Sequence, residues 1–157
     1  MKKGNFKNLN SLKKLVLWKN QIKEIEEATF DELFNLERLG LDSNELETLP
    51  MNLFKDLFSL RKLFLDHNKL RSIHKSHFQS LDRLKELYLN NNQLKTIEKS
   101  TFENLIELKD FYLYGNYFEN PMELRIGNQI YKVSKNGKCD RNYFSNILNC
   151  PKFKVNL

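Results

Sequence analysis

Apolar side chains recur along this chain at intervals that fit neither a strand nor a helix for long. In LGLDSNELETLP, residues 39–50, leucines stand at 39, 41, 46 and 49 around a single Asn44. A strand alternates with period 2 and a helix with period 3.6, so local periodicity names no element here. Self-similarity at a longer interval does. Leu12, Leu36, Leu60, Leu84 and Leu108 are spaced by 24 residues. Leu15, Leu39, Leu63, Leu87 and Phe111 keep step with them, as do Leu17, Leu41, Leu65, Leu89 and Leu113. Next come Asn20, Asn44, Asn68, Asn92 and Asn116, then Ile22, Leu46, Leu70, Leu94 and Phe118. Within the first four units Ile25, Leu49, Ile73 and Ile97 follow, then Phe30, Phe54, Phe78 and Phe102, then Leu33, Leu57, Leu81 and Leu105.

A fixed repeat of this length predicts one coil per unit, its apolar residues converging from all sides of the loop. A single coil cannot exclude water from them, whereas stacked coils bury them as a continuous column. The Leu-x-Leu segment alternates inward and outward, as a half-buried strand does, and successive strands would pair about 4.8 Å apart. The asparagine falls at a bend, where its amide can satisfy backbone groups that the turn leaves unpaired. The phenylalanine column is expected to stack as a spine on the side away from the strands.

The pattern LxxLxLxxNxLxxL, followed by a phenylalanine and a last leucine, resembles the leucine-rich repeat family. The 24-residue phenylalanine-bearing form resembles the class common in extracellular recognition proteins. The resemblance implies an α/β repeat: a right-handed solenoid with a short parallel sheet on its concave face and irregular turns on its convex face. Three regions are expected: residues 1–11 as a partial N-terminal repeat, 12–120 as the repeats, and 121–157 as a C-terminal cap. Phe6 and Leu9 precede Phe30 and Leu33 by 24 residues, which makes 1–11 the second half of a unit. Nothing there resembles a polar N-terminal cover, so either a preceding segment or self-association through the open end is expected. The cap is read as a short helical turn, a strand at QIYKV (129–133) and loops. Its Cys139 and Cys150 either pair or stay free thiols. Family members with extracellular roles often carry four cysteines there, a departure that puts a secreted assignment in doubt.

Composition adds limits. The chain has 157 residues and a net charge of +6 from 26 basic and 20 acidic residues in mixture. That is a mild bias, short of the dense basic stripe of nucleic-acid binders, so nucleic acid is not an expected partner. No apolar run reaches the length of a membrane span and no signal peptide opens the chain as given. The compartment stays open between the secreted or cell-surface setting that the resemblance favours and the cytoplasm. His67, His74 and His77 are too scattered to complete a metal site, and there is no phosphate-binding glycine loop or nucleophile motif. No catalytic residue, metal or cofactor is expected, and the chain is read as a non-enzyme.

The residues between the leucines face outward on the strand segment. One outward column reads Val16, Gly40, Phe64, Tyr88 and Tyr112; the next reads Trp18, Asp42, Asp66, Asn90 and Tyr114. Aromatics facing solvent are enriched at interfaces, although cross-strand pairing that steadies the sheet would place them there too. Beside them Lys14, Arg38, Lys62, Glu86 and Asp110 run from basic to acidic, a gradient suited to orienting a partner. The expected binding set is therefore Trp18, Phe64, Tyr88, Tyr112 and Tyr114 with those five charges, and the expected partner a protein or peptide. Two alternatives stand beside it: a polyanion binder using Lys13, Lys14, Lys19, Arg38, Arg61 and Lys62, and a ligandless part of a larger receptor or effector.

Overall fold

The computed structural model describes residues 1–134, and Cys139 and Cys150 lie outside the described residues. Five three-residue strands, β1 (Lys14–Val16), β2 (Arg38–Gly40), β3 (Lys62–Phe64), β4 (Glu86–Tyr88) and β5 (Asp110–Tyr112), form one parallel sheet in chain order. Each strand pairs with its equivalent one repeat later, as in Leu15 with Leu39 and Leu63 with Leu87. Parallel neighbours need a crossover, and here it is the irregular convex half of each coil. Its only helical element among the described residues is a single 3-10 turn at Lys75–His77. The coils thus wind into a leucine-rich repeat solenoid, with the sheet on one face and turns on the other.

The core is the set of columns seen in the sequence. Leu36, Leu39, Leu41, Leu46 and their equivalents in the next two coils are fully buried, as are Phe54, Phe78 and Phe102. Phe6 stacks on Phe30 (5.8 Å) and Phe30 on Phe54 (6.2 Å), while Phe78 meets Phe102 at 5.1 Å and Phe102 meets Phe111 at 4.9 Å. In the first coil Leu12, Leu15, Leu17 and Ile22 are only partly buried, because stacked neighbours supply the cover.

The asparagines clasp one coil to the next. Asn68 Oδ1 accepts from the Leu46 N–H (3.0 Å), while its Nδ2 donates to Leu41 (2.9 Å) and Leu65 (3.2 Å) carbonyls. Asn44, Asn92 and Asn116 repeat this geometry one coil earlier, one later and two later. Just before each of them Ser43, His67, Asn91 and Gly115 adopt positive φ, as does Lys19 before Asn20. The bend needs a left-handed residue there, and four of the five positions meet that need without glycine. At Gly115 (φ +69°) an added Cβ would lie 2.2 Å from Asn91 Oδ1.

After the last coil, β6 (Met122–Ile126) and β7 (Gln129–Val133) form an antiparallel hairpin turning at Gly127 and Asn128. Leu124, Ile126, Tyr131 and Val133 point into the core, and the Arg125 N–H donates to the Lys99 carbonyl at 2.7 Å. The expected QIYKV strand is β7. The short helical turn expected in the cap does not occur among the described residues, where 122–126 are extended and alternate inward and outward.

Candidate recognition surface

The sheet register sets every outward side chain of the concave face beside its equivalent in the next coil. Lys14, Arg38, Lys62, Glu86 and Asp110 line up at the strand starts, and Val16, Gly40, Phe64, Tyr88 and Tyr112 at the strand ends. Phe64 stacks on Tyr88 with ring centres 4.6 Å apart, and Tyr88 on Tyr112 at 4.3 Å and 9°. The Arg38 guanidinium lies over the Phe64 ring, 4.6 Å from its centre. Burial, and then the neighbouring Tyr112, hold the Tyr88 phenol well above its ordinary pKa, and burial also raises that of Tyr112.

The structure brings Phe64, Tyr88 and Tyr112 together as a ladder and corrects their expected exposure. Tyr112 belongs to the outward column, yet only 9% of it is exposed, because its ring is covered by its neighbours. Phe64, Tyr88 and Tyr114 are half-buried. A ring stacked on both sides gives its faces to the sheet and leaves edges for anything outside. Trp18, 49% exposed, lies outside the stacked ladder, in the first coil, with Lys19 Nζ 4.6 Å from its ring.

The basic-to-acidic gradient is partly closed on itself. Lys62 Nζ reaches Glu86 Oε1 at 2.6 Å where the column changes sign, and Lys13 reaches Glu37 at 3.7 Å. Elsewhere Lys55–Asp31, Lys69–Glu45, Arg71–Glu47 and Lys99–Glu123 pair across the same 24-residue interval. Lateral repetition thus turns surface charge into inter-coil bridges, each worth little alone when exposed.

Gly40 ends the aromatic ladder on the side of the first coil. Between Val16 and Phe64 it leaves a groove of about 480 Å³, bordered by Trp18, Phe64, Asp42 and Asp66, with Lys14 and Arg38 at its other lip. The Asp42 carboxyl is held above the usual carboxylate range by burial and by the Asp66 charge. The glycine and the two aspartates were legible in the sequence columns; the groove was not, since it depends on how far the side chains around it spread.

The histidines do structural work. His67 Nδ1 lies 2.8 Å from Asp66 Oδ2 and its Nε2 2.9 Å from the Asn91 amide. His77 is buried, and its Nδ1 accepts from the His74 N–H at 3.1 Å, which closes the 3-10 turn. Burial, then the His74 charge, pull the His77 pKa down to about 4. Among the described residues no group of three or more metal-ligating side chains forms, and no helix is long and apolar enough to cross a membrane.

A family model described as leucine rich repeat matches residues 1–46, 34–94 and 58–118. Among solved structures, the leucine-rich repeat domain of APL1B is similar at 28% identity and a TM-score of 0.67, over 70% of this chain and 34% of that one. An internalin (inlF) from Listeria monocytogenes is similar at 27% identity and a TM-score of 0.60, over 72% of this chain and 32% of that one. The chain therefore spans about a third of either protein's length. No curated protein matches the sequence.

Proposed function

The chain belongs to the leucine-rich repeat family, and from that premise we propose that it is a recognition module seating a protein or peptide on its concave sheet. Interaction modules are the general role of such domains, and a curved sheet with outward side chains in register is a surface suited to it. The observation that carries the reading is the clustering of Trp18, Phe64 and Tyr88 around the Gly40 groove. Trp18 and the edges of Phe64 and Tyr88 are the anchors, and Tyr112 and Tyr114 back them. Lys14, Arg38, Glu86 and Asp110 form a charged rim, with Lys62 tied to Glu86. Aromatic anchors around a recess are the usual centre of binding energy.

The polyanion alternative is disfavoured by the same geometry, since Lys13 and Lys62 face carboxylates and Arg38 lies on Phe64. Affinity capture from the source cells with wild type and a Trp18→Ala/Phe64→Ala variant tests the proposal. Partners retained by wild type should be lost from a variant that melts at the same temperature. An identical set of partners would refute it.

A further inference from the structure

The groove at Gly40 has two lips of opposite charge. Lys14 and Arg38 stand at the strand starts; Asp42 lies four residues beyond Arg38, roughly 13 Å along the backbone, and Asp66 holds the same place on the next coil. Arg38 lies over the Phe64 ring, and its charge also acts on Asp42, though more weakly than burial and the Asp66 charge do. Asp66 is held by His67, while Asp42 makes no ion pair among the described residues. This sets Asp42 apart from the rest of the surface, where lysines pair with aspartate or glutamate from coil to coil. Two carboxylates on adjacent coils repel each other, and the burial of Asp42 sharpens the cost. Asp42 and Asp66 therefore present carboxylate oxygens side by side, next to an exposed indole and a phenyl ring.

We infer that this lip receives a lysine or arginine side chain of the bound protein partner. The cationic head sits between Asp42 and Asp66, and its aliphatic stem lies along the edge of Phe64 and the ring of Trp18. The head relieves the carboxylate repulsion, which a neutral guest cannot do, and donates charge-assisted hydrogen bonds to the two carboxylates. A long basic side chain is apolar along its stem and charged at its tip, which matches aromatic walls above an acidic end. Gly40 is the residue that makes room. Its Cβ would meet only Asp42 Oδ1 at 3.5 Å and Val16 at 3.8 Å, so the backbone tolerates a side chain there and the opening is what glycine supplies. The inference rests on the concave-face reading above.

The test pans a randomised twelve-residue peptide library displayed on phage against the full chain. Peptides that a Trp18→Ala/Phe64→Ala variant no longer binds are then sequenced. Lysine or arginine should be enriched at one anchor position. Synthetic peptides carrying that anchor should lose about tenfold or more in affinity on an Asp42→Asn/Asp66→Asn variant and on a Gly40→Leu variant. Norleucine at the anchor should bind the wild type and the Asp42→Asn/Asp66→Asn variant equally. Concave-face peptides without a basic anchor would overturn this inference and leave the recognition reading standing. Failure to select any peptide sensitive to the Trp18 and Phe64 changes would overturn both. Circular dichroism melts keep unfolded variants out of the comparison.

Discussion

Replacing Asn68 by alanine removes the clasp between the second and third coils. The loss can be assembled bond by bond. The Leu46 N–H has Asn68 Oδ1 as its partner at 3.0 Å and is left buried without one, at a cost of about 1–3 kcal/mol. The Leu41 and Leu65 carbonyls lose one donor each but keep another, Asn44 at 3.0 Å and Asn92 at 2.9 Å. Those half-losses are worth about 0.5–1 kcal/mol apiece. The sum is about 3 kcal/mol. Asn20 supplies the control, since its exposed amide reaches only the Trp18 carbonyl at 3.1 Å, and its alanine variant should cost less than about 1 kcal/mol. Urea titration followed by far-ultraviolet circular dichroism gives both values from the midpoints and slopes. Equal destabilisation at the two positions would refute the reasoning, because it would make the asparagine a generic turn residue with no role between coils.

Three further outcomes follow from the same geometry. His77 has a folded-state pKa near 4 against 6.5 for the free side chain, so acid protonates the unfolded chain first. Its contribution is complete above about pH 6.5 and falls away towards pH 4, by roughly 2–3 kcal/mol; a His77→Gln variant should show a flatter stability–pH curve over that window. Gly115→Ala forces a Cβ to within 2.2 Å of Asn91 Oδ1 at a φ of +69°, and should lower stability by about 1–3 kcal/mol, while Ser43→Gly, at φ +55°, should raise it by about 0.5 kcal/mol in the same titration. Tyr112→Ala, at a ring already covered by its neighbours, should cost about 2–4 kcal/mol of stability but less affinity for a concave-face peptide than Trp18→Ala does; the reverse order would contradict the burial described here.

The solenoid could be read from the sequence because each column carries one physical demand. Leu39 is inside for the same reason as Leu63, and one misassigned residue cannot hide a pattern repeated in register. The outward columns were legible as lists, yet their exposure was not. Tyr112 reads as another Tyr88, but its ring closes the ladder that Phe64 begins, and stacking buries it. The left-handed residue before each asparagine escaped notice because Lys19, Ser43, His67 and Asn91 share no chemistry; Gly115 alone signals the backbone they share. The cap lies where the repeat stops, so no column predicted that residues 122–126 extend rather than coil. Asp42 and Asp66 were legible as members of an outward column, but the groove they border was not.

The asparagine clasps reach backwards along the chain. Asn44 accepts from the Asn20 and Ile22 N–H groups of the coil before it, and Asn92 from the Leu70 N–H of the third coil. A bend formed by one repeat is therefore sealed by an amide encoded a full repeat later. During synthesis from the N-terminus, every turn would wait open until about two dozen more residues had left the ribosome. Assembly would then advance as a zipper whose slider trails the emerging end by one tooth.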